Sequence, residues 1–203
     1  TSLSRLTPSD SSVLLLLARA AAGAGRIDEA LRLEQRLSEQ SEPGKFEGVA
    51  GVAQLWTLVR LAGLSLDEAA PATAIDERMR STGLLRSAPS AIALFTWAHP
   101  EDAPEMFAHI PSTPVGVEWE RANVSAAALG IEAVLVDQRD EGDELKFEVR
   151  RSERDSLRDL EGTFWLVTHL GTAEERFVRQ SVTLSRETRT QGFRISGDEL
   201  TTL

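Results

Sequence analysis

Residues 87–97 read Ser87-Ala88-Pro89-Ser90-Ala91-Ile92-Ala93-Leu94-Phe95-Thr96-Trp97, and the chain changes rhythm here. Serine and proline punctuate the approach. Ile92–Trp97 is apolar on both faces and reads as a buried strand. Upstream, apolar side chains recur at every third or fourth position; downstream they recur at every second. The switch divides the 203 residues into an expected helical, repeat-like segment 1–88 and a β-sandwich domain 89–203. The fold expected is α+β, with antiparallel α-hairpins followed by an antiparallel β-sandwich.

Downstream of the switch, Met106, Ala108 and Ile110 alternate with Phe107 and His109, and Val115, Val117 and Trp119 alternate with Gly116, Glu118 and Glu120. Ile131–Val136 and Leu145–Val149 flank the acidic turn Asp140-Glu141-Gly142-Asp143 and read as a hairpin. Leu145, Phe147 and Val149 are expected to face inward, and Lys146, Glu148 and Arg150 to face water. Phe164–Leu170, Phe177–Leu184 and Phe193–Ile195 follow, which makes about eight short strands separated by turns. Asn123–Gly130 and Ser152–Leu157 read as short helical excursions.

Upstream, Ser11 or Ser12 is the expected cap of a first helix whose Leu14, Leu17, Ala18 and Ala21 share one face. Gly23 and Gly25 end it, because glycine tolerates the left-handed conformation that closes helices. Asp28 is the expected cap of a second helix with the stripe Ala30, Leu33, Leu37, leaving Glu29, Arg32, Glu34 and Arg36 outward; Glu42-Pro43-Gly44 stops it. A third helix runs from about Phe46 to Ala62, and Val49, Val52, Ala53, Trp56 and Val59 give it a broad apolar face.

The string Ala24-Gly25-Arg26-Ile27-Asp28-Glu29-Ala30 returns as Ala62-Gly63-Leu64-Ser65-Leu66-Asp67-Glu68-Ala69, with one residue inserted. A helix–turn–helix unit returning at this scale is the mark of stacked helical hairpins. With Ala18 and Ala21, the Gly25–Ala30 turn, Leu37 and Pro43, the segment from Leu14 to Pro43 resembles a tetratricopeptide-type repeat. It departs from that family at Glu34, where a large apolar residue is expected, and Pro71 interrupts the second copy. The resemblance implies a concave helical surface that grips an extended segment or a helix of a partner protein. In the second half, Leu94-Phe95-Thr96-Trp97 and Met106-Phe107-Ala108-His109-Ile110-Pro111 flank an acidic loop. That arrangement resembles a bacterial β-sandwich module that accompanies helical repeats and von Willebrand-type adhesion domains in envelope proteins. The loop of that module is aspartate-rich; here it is His99-Pro100-Glu101-Asp102-Ala103-Pro104-Glu105.

Charge is uneven. Residues 1–88 carry 10 basic and 11 acidic side chains, whereas 89–203 carry 12 and 21. The net of −9 in the second half repels phosphate backbones, so nucleic acid is not an expected partner. The longest apolar run, Val13–Ala18, is too short to span a membrane. Cysteine is absent, which removes disulfides, thiolate metal sites and a thiol nucleophile. The chain begins with Thr1 rather than Met, so a processed or excised piece is expected and an upstream signal or anchor stays open. Arginine far outnumbers lysine, as in a GC-rich bacterial genome. The sequence does not fix the compartment, and periplasm or cell envelope is favoured over cytoplasm.

Chemistry-bearing patterns are few. His99, His109 and His169 are the three histidines; the last two read as sheet-face residues. There is no Gly-x-Ser-x-Gly elbow, no paired-histidine zinc spacing and no phosphate cradle, so neither catalytic residue nor cofactor is assigned. Glu101, Asp102 and Glu105 are candidate calcium ligands in one loop, and Asp137, Asp140, Glu141, Asp143 and Glu144 form a second acidic cluster. Glu118 and Glu120 share one strand face. Among Trp56, Trp97, Trp119 and Trp165, the candidates for partner contact are Trp56 and Trp119, the latter flanked by Glu118 and Glu120. The expectation is a non-enzymatic protein–protein interaction or scaffold module with a protein or peptide partner. The alternative is a β-sandwich that binds carbohydrate or calcium. Oligomeric state is left open.

Overall fold

A computed structural model describes residues 10–40, 48–66, 91–109, 120–121, 124–136, 144–151, 158–169, 174–196 and 199–203. The chain divides into two compact units, Thr1–Ala88 and Pro89–Leu203. The first is built of helices and the second of two antiparallel sheets, an α+β organisation.

Three helices are described in the first unit: α1 (Ser11–Gly23), α2 (Ile27–Ser38) and α3 (Gly48–Leu66). The cap of α1 is Asp10 rather than Ser11 or Ser12. Its carboxylate accepts the amides of Ser12 and Val13 at 2.9 and 3.2 Å, and an ionised acceptor also complements the helix dipole. Gly25 ends the helix as expected, at φ 74°. The Arg26 amide reaches back to the Ala21 carbonyl and the Gly25 amide to that of Ala22, both at 2.9 Å, a Schellman closure. The buried face of α1 is Leu14, Leu15, Ala18 and Ala21; Leu17 is only half-buried.

Helix α2 starts one residue before Asp28, with Arg26 in the cap position and making no side-chain cap bond. Asp28 therefore lies within the first turn, where its charge favours the dipole. Arg26 pairs with Glu29 at 2.6 Å. Glu34, expected outward, is fully buried between Leu31 and Leu37 on the inner stripe. A residue at i+3 from Leu31 and i−3 from Leu37 cannot point away from both. Helix α1 packs on α2, and α2 on α3. Residues 51–57 of α3 are buried all round, as a central helix requires. Thr57 satisfies its hydroxyl on the Ala53 carbonyl at 2.8 Å. Ala62–Leu66 continue α3. The returning string thus begins inside a helix, whereas its first copy makes a turn. The Glu42-Pro43-Gly44 stop, Pro71 and the approach to Ala91 lie outside the described residues.

Ten strands are described in the second unit: β1 (Ala91–Trp97), β2 (Glu105–His109), β3 (Glu120–Arg121), β4 (Val124–Ala126), β5 (Ile131–Val136), β6 (Leu145–Arg150), β7 (Leu160–Thr168), β8 (Arg176–Leu184), β9 (Thr190–Ser196) and β10 (Glu199–Thr202). One sheet has the order β4-β5-β1-β7-β8 and the other β10-β9-β6-β2-β3. The expected β5–β6 hairpin is not formed. β5 pairs with β1 and β4, and β6 pairs with β2 and β9 in the other sheet. The physical reason is that Val134 and Val136, like Leu145, Phe147 and Val149, belong to one apolar cluster. The connection crosses between sheets so that both strands can bury those sides. In place of a helical excursion, Val124–Ala126 is a strand, β4, followed by a single 3-10 turn at Ala127–Leu129, and Gly130 takes φ 71°; Asn123 lies outside the described residues. Ile110, residues 111–119, the Asp140–Asp143 turn and Ser152–Leu157 lie outside the described residues.

Period two gives each described strand two faces. On β1, Ala91, Ala93, Phe95 and Trp97 enter the apolar cluster shared by both sheets. Phe164 of β7 is its hub: its ring stacks on Phe193 of β9 at 4.0 Å and tilts against Phe147 of β6 at 5.8 Å. Gly162 makes room for Phe95. A Cβ there would clash with the Phe95 ring and stand 2.7 Å from the Thr96 carbonyl oxygen. Two polar side chains tie the edges of this core. Glu132, 2% exposed, accepts the Met106 amide of the opposite sheet at 2.8 Å. Arg151 donates to the Leu184 and Arg158 carbonyls at 3.1 and 2.7 Å.

Candidate functional site

The face of β7 and β8 directed away from the shared core carries Trp165, Phe177 and Arg179. Alternation on β7 sends Phe164 and Leu166 inward, so Trp165 points out and stays half-buried. Trp165 and Arg179 are direct cross-strand partners. The guanidinium lies over the indole at 4.7 Å, and Phe177 flanks the same ring at 6.2 Å. The indole N–H donates to Thr96 Oγ1 at 3.0 Å, which fixes the ring's orientation. A fixed tryptophan with an exposed arginine beside it is the composition found at binding hot spots.

β8 is the terminal strand of its sheet among the described residues. Its Arg176, Arg179, Ser181 and Thr183 are exposed, while Val182 and Leu184 are buried in the core. One edge of β8 pairs with β7 along nine residues. The other edge presents main-chain donors and acceptors outward. The facing sheet carries a second aromatic–arginine contact, with Arg150 over the Phe107 ring at 4.3 Å. There the arginine is also bonded to Glu148, so its charge is met locally.

Of the residues singled out in the sequence, Trp56 is 8% exposed inside the helical unit, which leaves little ring surface for a partner. Trp119 lies outside the described residues, as does Glu118. Glu101 and Asp102 form a 3-10 turn after β1, and Glu105 opens β2. The first two do not converge on a cation site; they face Arg158. Its guanidinium bonds Glu101 and stands 3.6 Å from Asp102. The Glu101 carboxyl is held below its ordinary value of 4.5, first by its own backbone amide and then by Arg158. Glu105 stands opposite Arg150 in the β2–β6 register. Among the described residues no group of three or more His, Asp or Glu side chains has metal-holding geometry.

The histidines are dispersed. His99 is exposed, 3.9 Å from Glu101. His109 lies on β2, as the alternation predicts. His169 is not on a strand face: it follows β7 in a left-handed conformation, φ 53°. In the second acidic cluster only Glu144 is described; it pairs with Lys146 at 2.8 Å and Arg194 at 3.5 Å, and Lys146 holds its carboxyl low. Trp165, Phe177 and Arg179 were not predicted as a group. Their only sequence signal is the two-residue spacing of Phe177 and Arg179. Trp165 sits in a continuous apolar run, which does not reveal its face.

A scan against family models and searches of the curated proteins and of the solved structures each returned no match.

Proposed function

We propose that the chain is a non-catalytic protein–protein interaction module of a bacterial envelope protein. In this reading the helices stack as hairpins of the tetratricopeptide type, and the two sheets close on each other as a β-sandwich. The observation that supports it is the outward Trp165–Phe177–Arg179 cluster beside a terminal strand. Tryptophan and arginine supply contact area and charge at protein interfaces. Arg179 covers one face of the indole, which favours a protein partner over a stacked sugar.

The test is capture. The whole chain, immobilised and exposed to a bacterial envelope extract, is expected to retain a stoichiometric protein partner, and Trp165→Ala is expected to weaken that retention. Retention of no protein beyond that seen with an unrelated acidic control overturns the reading.

A further inference from the structure

Among the described residues the outer edge of β8 pairs with no strand, and this stretch is basic in an acidic molecule. From Arg176 to Arg189 the chain carries Arg176, Arg179, Arg186 and Arg189 against the single acid Glu187, a local net of +3 where the whole chain has −10. Arg176, Arg179, Arg186 and Arg189 are all exposed. The strand between them is pinned from behind: β7 pairs with it along its length, and Gln180 donates to Thr202 of β10 at 3.0 Å. A fixed edge offers its outward amides and carbonyls at the spacing another strand needs, without first having to be ordered.

We propose that the β8 edge takes up an extended, acidic segment of a partner protein as a further antiparallel or parallel strand. Main-chain hydrogen bonds along Phe177–Leu184 supply the docking. Arg179 and Arg186 select acidic side chains, and Phe177 and Trp165 receive an apolar one on the outer face. Glu174 and Glu175, just before β8, place the acidic end of the segment toward the Arg186 end. A second copy of this chain is a poorer occupant, since pairing β8 with β8 brings arginine rows together. The proposal rests on reading the chain as an interaction module, and it adds the place and the chemistry of the partner.

The probe is a fluorescein-labelled extended peptide alternating Glu with Val, titrated into the whole protein at low salt and followed by anisotropy. Its controls are the Lys–Val counterpart and a Glu–Val peptide N-methylated on alternate amides. Saturable binding of the Glu–Val peptide is expected. It should be weakened roughly tenfold or more by backbone methylation, by Arg179→Glu with Arg186→Glu, or by the milder pair Arg179→Gln with Arg186→Gln. Three results would overturn the proposal: no binding of the Glu–Val peptide, equal binding of the Lys–Val or methylated peptide, or self-association through β8 that excludes the peptide. A protein that keeps its envelope partner while ignoring the peptide sinks the β8 assignment alone. One that binds the peptide but captures no partner sinks the interaction reading.

Discussion

The two units bury apolar surface in different ways. The helix-built unit fills its interior with small and aliphatic side chains: Leu14, Leu15, Ala18, Ala21, Ala30, Leu37, Val52, Ala53 and Leu55, with Trp56 at the rim. The strand-built unit stacks rings, Phe147, Phe164 and Phe193, between two sheets. Helices satisfy their backbone within the segment, so small side chains allow close approach and the caps are local. Strands satisfy theirs only with other strands, several of them distant in sequence, such as β1 with β5 and β6 with β2 and β9. An edge left over, as at β8 among the described residues, keeps its outward main-chain donors and acceptors without a strand partner.

The comparison breaks first if the ring hub is dispensable. Phe164→Ala is expected to cost about 3–5 kcal/mol by chemical denaturation, because it opens a cavity against both Phe147 and Phe193. A loss similar to that of an ordinary surface change would show that the rings do not hold the sheets together. Gly162→Ala should come next, at about 1–3 kcal/mol, since its Cβ meets the Phe95 ring and the Thr96 backbone. In the helical unit, Asp10→Ala should cost about 1 kcal/mol by removing the α1 cap. Its effect on amide exchange should be largest in the first turns of α1, as expected of a local stabiliser.

The smallest effect sharpens the electrostatic side. The Glu101 carboxyl has a lowered pKa in the folded chain. Its pairing therefore favours the fold above the ordinary value of 4.5 and loses that contribution as pH falls through the folded value. Glu101→Gln should lower the melting temperature slightly at neutral pH, leave it unchanged well below the folded value, and so flatten its fall in acid. An unaltered acid slope would show that Arg158 and the turn amide do not hold this carboxylate.

Much of the fold was legible because it is local. The period change at Ala91, the alternation of β2 and β6 and the glycine closure at Gly25 are all written in neighbouring residues. What was not legible depends on distant partners. Glu34 reads as a surface charge from composition, yet its place between Leu31 and Leu37 sends it inward. β5 and β6 flank a good turn sequence and would form a hairpin if turns alone decided. Instead β5 pairs with the adjacent β4 and with distant β1, and β6 with distant β2 and β9, because both carry a side that the common core must cover. The candidate site was the least legible part. Trp165 lies in Phe164–Val167, where every residue is apolar, and only the pairing with Arg179 and the terminal position of β8 reveal which way it faces.

Amide hydrogen exchange of β8, read residue by residue in the free protein, tests the open edge most directly. Alternate amides of Phe177–Leu184 should exchange rapidly while their neighbours and the whole of β7 stay protected, and the rapid set should slow when the Glu–Val peptide is added. Uniform protection of β8 in the free protein would contradict the account, because the edge would already be covered.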